Sequence, residues 1–138
     1  MNMKALLKLT LALIFPAMLV AMPGKSQAAP TPADCKAMVM QLKTATDAVT
    51  LINVTPNEAT KIKADLTARL DKALLYLNYP DAKSQYNAAN QVWEYRKKLR
   101  GLFGKKISDA DFTMLDTLAG NTTVCIVKLY CPACPYTP

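Results

Sequence analysis

Four cysteines are the residues of this 138-residue chain with the clearest capacity for chemistry. Cys131 and Cys134 form a CPAC motif near the carboxyl end, Cys125 lies shortly before it, and Cys35 lies far upstream. A pair at the CPAC spacing can serve as a redox dithiol, bind a soft metal ion, attach haem or close a structural disulfide. Each alternative needs further groups, which the rest of the chain must supply.

The redox and zinc alternatives both lack support around the CPAC motif. A reactive dithiol holds its first sulfur at the start of a helix, where the helix dipole stabilises the thiolate. Only the segment PYTP, residues 135–138, follows Cys134, so no helix is expected there. A zinc site would need all four cysteines. An oxidising compartment favours disulfides instead, so a structural staple is the preferred interpretation.

Catalysis is disfavoured because the chain contains no histidine. It therefore lacks an imidazole base and any histidine metal ligand. After residue 28 the only serines are Ser84 and Ser108, and neither has a recognisable base nearby. Asp109 and Asp111 are explained by the start of a predicted helix, where carboxylates are favourable. We expect a protein that is not an enzyme and uses no cofactor.

Residues 1–28 have the pattern of a cleaved signal peptide. Lys4 and Lys8 precede an uncharged, mostly apolar run over 9–22, and small residues at Ser26 and Ala28 fit a cleavage site after Ala28. The run is interrupted by Pro16 and is shorter than the roughly 20 residues of a membrane-spanning helix. The sequence predicts a periplasmic or secreted protein.

Residues 29–138 are predicted to form a single domain. Removing Lys4, Lys8 and Lys25 leaves 14 basic and 10 acidic residues, a net charge of +4. This modest charge gives no reason to expect a nucleic-acid partner. A small exported domain with an even number of cysteines is expected to contain at least one disulfide, which compensates for a limited core.

Apolar periodicity and start signals predict four helices. They cover about 33–52, 55–79, 81–101 (or to 104) and 108–130. Thr55 and Glu58 form a capping-box pattern, and Asp81 and Ser108 are good caps for the third and fourth helices. Gly120 and Asn121 could end the fourth helix early and leave 122–130 as a strand. Its apolar stripe continues in phase through the glycine, which favours one helix.

Four amphipathic helices with short connections predict an all-α, up-down-up-down four-helix bundle with a short irregular Cys/Pro tail. The start of its first helix and the end of its fourth lie at the same end of the bundle. We therefore expect disulfides Cys35–Cys125 and Cys131–Cys134, with Cys35–Cys131 or Cys35–Cys134 as the alternatives. A Cys35–Cys125 bond would stabilise the fold by about 4–5 kcal/mol in the chain-entropy treatment.

An exported four-helix bundle with a Cys-x-x-Cys motif at its carboxyl end resembles the cytochrome c-prime family. That family attaches haem through Cys-x-x-Cys-His, with the histidine as iron ligand. Here Pro135 takes the histidine's position and the chain has no histidine elsewhere. The resemblance therefore covers the layout and two cysteines, and it implies no haem.

A basic run over 96–106, RKKLRGLFGKK, is the first candidate binding surface. It could bind anionic lipid, cell-wall polyanions or an acidic protein, or simply complement the dipole at the end of the third helix. The candidate residues are Tyr95, Arg96, Lys97, Lys98, Arg100, Lys105 and Lys106. Arg96 projects onto the apolar stripe, so its stem should pack with its head in water, or else pair with a buried carboxylate.

Aromatic residues are the second candidate surface, because Tyr, Trp and Arg anchor many interfaces. Helical spacing places Tyr86, Trp93 and Phe103 towards the core and leaves Tyr95 exposed. We expect a small exported binding protein, such as an inhibitor or immunity-type protein, with a protein partner. The alternatives are a thiol–disulfide or metal-handling protein using CPAC, and an envelope-associating factor using the basic run.

Overall fold

A computed structural model describes residues 29–135 of the chain, and the predicted signal peptide lies outside this range. Four helices account for most of it. They are α1 (Pro32–Ala48), α2 (Pro56–Tyr76), α3 (Ala82–Leu102) and α4 (Asp109–Tyr130). None of these four is long and apolar enough to cross a bilayer.

Each helix begins at a side chain that accepts a hydrogen bond from the first turn. Thr55, Asp81 and Ser108 cap α2, α3 and α4, as the sequence predicts. The reciprocal capping box, however, forms at Thr31 and Asp34 before α1. The carboxylate of Glu58 instead binds Lys106 in the loop between α3 and α4. The predicted capping box at α2 is therefore only half formed.

The α1–α2 loop and the α3–α4 loop, which lie at the same end of the bundle, are joined by hydrogen bonds. The backbone N–H of Ile52 donates to the Lys106 carbonyl at 2.9 Å, and the Asn53 amide donates to the Lys105 carbonyl at 3.0 Å. Asn53 adopts a left-handed conformation with φ 55°. The prediction that the first helix runs to Ile52 is therefore wrong. The chain leaves the helix after Ala48 to make this loop–loop pairing, and Ile52 is exposed.

The helices form the predicted up-down-up-down four-helix bundle. Each packs against the helices before and after it, and α1 also packs against α4, whereas the diagonal pairs do not touch through their backbones. The diagonal is crossed by a side chain instead, because the hydroxyl of Tyr95 on α3 lies 2.7 Å from the hydroxyl of Thr46 on α1. Within 29–135 there are no strands, and α4 runs unbroken through a buried Gly120.

Both predicted disulfides are present. Cys35–Cys125 joins the first turn of α1 to the last turns of α4 with a Cα–Cα distance of 5.6 Å, and both residues are buried. Cys131–Cys134 closes a turn directly after α4. The long-range bond thus fixes the two ends of the helical sequence to each other, and the short-range bond fixes the segment that follows.

The predicted inward face of α3 is correct at Ala89, Val92 and Leu99 but wrong for its aromatic residues. Tyr86, Trp93 and Phe103 are exposed, whereas Tyr95 is fully buried and Arg96 is nearly so. The buried face is Gln85, Ala88, Ala89, Val92, Tyr95, Arg96 and Leu99. Two hydrogen-bonding partners stabilise this orientation of α3. Thr46 forms a hydrogen bond with the Tyr95 hydroxyl, and Asp116 accepts hydrogen bonds from the Arg96 guanidinium. Apolar periodicity alone cannot register such partners.

Candidate binding groove

The CPAC motif lies at the carboxyl end of α4. Cys131 caps the helix with its N–H donating to the Val127 carbonyl at 2.8 Å, and the Cys134 N–H donates to the Cys131 carbonyl at 3.1 Å. The negative end of a helix dipole disfavours a thiolate, the opposite of the environment in a reactive dithiol. This placement suits a clasp that ends the helix better than a nucleophilic thiol.

All four cysteines are bonded in pairs, so the structure offers no thiolate to a soft metal ion. Across residues 29–135, no group of three or more His, Cys, Asp or Glu side chains is arranged to hold a metal ion. The cysteines therefore act here as two cross-links.

Most of the basic run is paired with carboxylates. Lys97 lies 3.2 Å from Glu94, while Lys98 pairs with Asp65 and Lys106 with Glu58. Lys105 is the one cation of the run that makes no ion pair with a residue in the described part of the chain. The four carboxylates, counting Asp116, reduce the local positive charge, so the run joins α3 to its neighbours more than it forms a strongly cationic surface.

Arg96 and Asp116 form the most buried of these pairs. The guanidinium donates through Nε and a terminal nitrogen to both oxygens of Asp116, at 2.9 and 3.0 Å. This outcome matches the alternative of a buried carboxylate pair and contradicts a head that reaches water. The hydrogen bond from Arg96 lowers the pKa of Asp116, assisted by the charge of Arg100. The pair bridges α3 and α4.

Tyr95 does not belong to any surface, contrary to the sequence prediction. It is the largest fully buried side chain among the described residues. Since the Thr46 hydroxyl donates to the Leu42 carbonyl, the Tyr95 hydroxyl donates to Thr46. Burial raises the pKa of Tyr95 to about 12. Tyr95 is therefore a core residue that holds α3 against α1.

The exposed aromatic residues converge on a groove along the seam between α3 and α4. Its volume is about 350 Å³, within the range of ligand-binding pockets. The lining residues are Tyr86, Ala89, Asn90, Trp93, Thr123, Val127 and Tyr130. This groove is the candidate functional site.

The antiparallel register of α3 and α4 sets the ends of the groove. At one end the rings of Tyr86 and Tyr130 meet edge to face across the seam, with centroids 6.1 Å apart. At the other, Arg96 and Arg100 both approach Asp116. The open part of the seam thus lies between an aromatic bridge and an ionic bridge.

Small side chains give the groove its depth. Ala89 and Thr123 form part of the floor, and the Thr123 hydroxyl donates to the Ala119 carbonyl of its own helix, so it needs no other partner. Tyr86 and Trp93 rise beside them with exposed fractions of 57% and 40%. The guanidinium of Arg100 lies 5.7 Å from the Trp93 ring centroid and extends this wall by a cation–π contact.

The sequence contained a signal for this groove that a core assignment obscured. Tyr86 and Trp93 are two helical turns apart on one face of α3, with Ala89 and Asn90 between them. Large side chains on either side of small ones form a notch when that face of the helix is exposed to solvent, and the register of α3 exposes this face.

No family model, curated protein or solved structure matches the chain.

Proposed function

We infer that this protein acts by binding a protein partner outside the cytoplasm, without catalysis, and that the α3–α4 groove is its binding site. In this proposal the protein is an inhibitor or immunity-type protein, which blocks its partner by covering it. The signal-peptide pattern over residues 1–28 and the two disulfides favour an exported location.

The observation that carries the proposal is the exposure of Tyr86 and Trp93 beside a groove with a small-residue floor. Complete burial of a large apolar side chain contributes about 1.5–3 kcal/mol, and a partner can recover the part of this that belongs to the exposed surface of each ring. Tyr, Trp and Arg are also the residues that contribute most often to binding energy at the centre of interfaces. Tyr86, Trp93 and Arg100 supply all three types on one face.

The groove supports the binding function better than the two alternative sites. The CPAC cysteines form a disulfide at the negative end of a helix, and five of the six cations of the basic run lie within 4 Å of a carboxylate. In the groove, in contrast, the rings of Tyr86 and Trp93 remain exposed. We therefore place recognition at the groove.

The test is retention of a partner from the cell-envelope extract of the producing cell. The chain beginning at Ala29, with both disulfides formed, is attached to a resin as wild type and as Trp93→Ala. The matched control is Tyr79→Ala, because Tyr79 is similarly exposed but lies outside the groove. We expect a protein retained by wild type and by Tyr79→Ala to be lost from Trp93→Ala. Equal retention by all three forms would place the site elsewhere.

A further inference from the structure

The shape of the groove limits what can occupy it. Its lining on α3 runs from Tyr86 to Trp93, which is about 10 Å along the helix axis. A polyproline II segment rises about 3.1 Å per residue, so three or four of its residues match this length. The rest of a longer segment extends past the Tyr86–Tyr130 ring contact or the Arg96–Asp116 pair.

The polar groups of the groove are placed to donate hydrogen bonds. The Trp93 ring nitrogen, the Asn90 amide and the Tyr86 hydroxyl make no hydrogen bond to any residue between 29 and 135. Tryptophan can only donate, and tyrosine and asparagine can donate as well as accept. A segment rich in backbone carbonyls and poor in N–H groups would satisfy them, and proline provides that combination because it has no N–H.

The electrostatics of the walls agree with such a ligand. No carboxylate occurs between Ala82 and Trp93 on α3, or between Thr117 and Tyr130 on α4, and the charged residues in these stretches are Lys83 and Lys128. The lining of the groove therefore offers no charged acceptor to a donor-rich peptide, which disfavours such a ligand.

The spacing of the two aromatic walls also fits. Tyr86 and Trp93 lie two helical turns apart, about 10 Å along the axis. A polyproline II helix repeats every three residues, about 9.3 Å. Prolines three residues apart lie on one edge of such a helix, so each could pack against one ring, as in other aromatic-lined grooves that bind proline-rich segments.

We propose that the groove binds a proline-rich segment of the partner protein in the polyproline II conformation. Its prolines pack on Tyr86 and Trp93, and its carbonyls accept hydrogen bonds from Asn90 and the Trp93 ring nitrogen. This proposal rests on the proposed function and specifies the chemistry of the partner.

Trp93 is the single tryptophan of the chain, so its fluorescence reports on the groove alone. The oxidised chain beginning at Ala29 is titrated with acetylated, amidated decaproline, which has no aromatic ring of its own. We expect a saturable change in Trp93 emission. An amidated Gly-Ser peptide of equal length should give none, because its flexible chain must be ordered on binding and has no rings to pack. Absence of saturation with decaproline, or an equal response to Gly-Ser, would overturn the proposal.

Variants that keep the fluorophore separate ring packing from hydrogen bonding. We expect Tyr86→Ala to weaken decaproline binding at least tenfold, and Asn90→Ala to weaken it about three- to tenfold, the range of one hydrogen bond. Tyr79→Ala should stay within twofold of wild type. Equal affinity of Tyr86→Ala and wild type would show that decaproline binds outside the groove.

The chain's own PYTP segment, residues 135–138, is the competing occupant because it follows Tyr130 and the CPAC turn closely. A chain ending at Cys134 should bind decaproline as the full chain does. A tenfold gain in affinity on this truncation would assign the groove to the tail and overturn the proposal. If decaproline fails to bind while the Trp93→Ala resin still loses its partner, only the polyproline assignment fails. If both fail, the proposed function fails with it.

Discussion

The interior of the bundle and the α3–α4 seam each contain tyrosine and a disulfide, yet they use them differently. In the interior, Tyr95 is fully buried with its hydroxyl bound to Thr46, and Cys35–Cys125 joins the two ends of the helical sequence. Along the seam, Tyr86 is more than half exposed and makes one edge-to-face ring contact, and Cys131–Cys134 joins neighbours in sequence.

The difference separates residues whose side chains contribute to stability from residues whose side chains remain exposed to solvent. Interior groups have partners that satisfy both their shape and their polarity, so their presence is explained by stability. Tyr86 and Trp93 in the seam have exposed ring surface, and no residue between 29 and 135 forms a hydrogen bond with their polar groups. Such groups contribute little to folding, which makes them the candidates for recognition.

The two disulfides should show the largest contrast. Replacing Cys35 and Cys125 by alanine opens a cross-link with a sequence separation of 90 and should lower the free energy of unfolding by about 4–5 kcal/mol. Replacing Cys131 and Cys134, which are three residues apart, should lower it by about 2 kcal/mol. Urea unfolding followed by far-UV circular dichroism measures both. Equal losses would contradict the division between an interior bond and a local clasp.

Two tyrosines on opposite faces of α3 form the next comparison. Tyr95→Ala leaves a cavity in the core and should cost about 4 kcal/mol. Tyr86→Ala removes one ring contact at the surface and should cost about 1 kcal/mol or less. The same urea titrations give both values. A loss of 3 kcal/mol or more for Tyr86→Ala would mean that the seam aromatics are structural.

The ion pair at the end of the groove should have an intermediate effect. Asp116→Asn removes the negative charge that accepts two hydrogen bonds from Arg96 and should cost about 2 kcal/mol. Arg96 lowers the pKa of Asp116, so this stabilisation is complete above the ordinary aspartate pKa and is lost as the pH falls below about 4. Urea unfolding between pH 2 and 7 should show that the free energy of unfolding of the variant falls less steeply at acid pH.

The matched control is Asp71→Asn, which breaks the exposed pair with Lys43 and should lower the free energy of unfolding by less than about 1 kcal/mol. Equal losses for the two variants would mean that burial of the Arg96 pair has no energetic role.

Tyr95→Phe is the smallest change and isolates the buried hydroxyl. We expect a loss of about 1 kcal/mol at pH 7, because Thr46 loses a donor. Since burial raises the pKa of Tyr95 to about 12, the folded protein keeps a proton that the unfolded chain releases near pH 10. Stability linked to this group is therefore present below pH 10 and falls as the pH rises towards 12. The phenylalanine variant should lack that alkaline loss, and an identical loss in both proteins would refute a buried, neutral Tyr95.

Much of the interior could be predicted from the sequence, because its signals are local or follow from topology. Thr55, Asp81 and Ser108 mark helix starts by residue type, and the bundle brings Cys35 to Cys125 once four helices are assigned. The continuity of α4 through Gly120 followed from the phase of its apolar stripe. These features need no knowledge of side-chain partners.

The seam could not be predicted, because its position depends on the register of α3. Helical periodicity places Arg96 on the apolar stripe but also assigns Trp93 to the core, and the distant partners Thr46 and Asp116 decide between the two faces. A buried arginine becomes favourable when its carboxylate is in place, and that pairing joins residues on different helices. The position of the groove therefore depends on contacts between distant residues, which helical periodicity does not reveal.

Labelling Trp93 with 5-fluorotryptophan gives the most direct test of whether the groove is a binding site. As the chain has one tryptophan, its ¹⁹F spectrum contains one protein resonance even in a crude mixture. We predict that this resonance shifts or broadens when envelope extract of the producing cell is added, and that excess unlabelled wild type reverses the change while unlabelled Tyr86→Ala does not. A resonance that keeps its position and width in the extract would contradict the account.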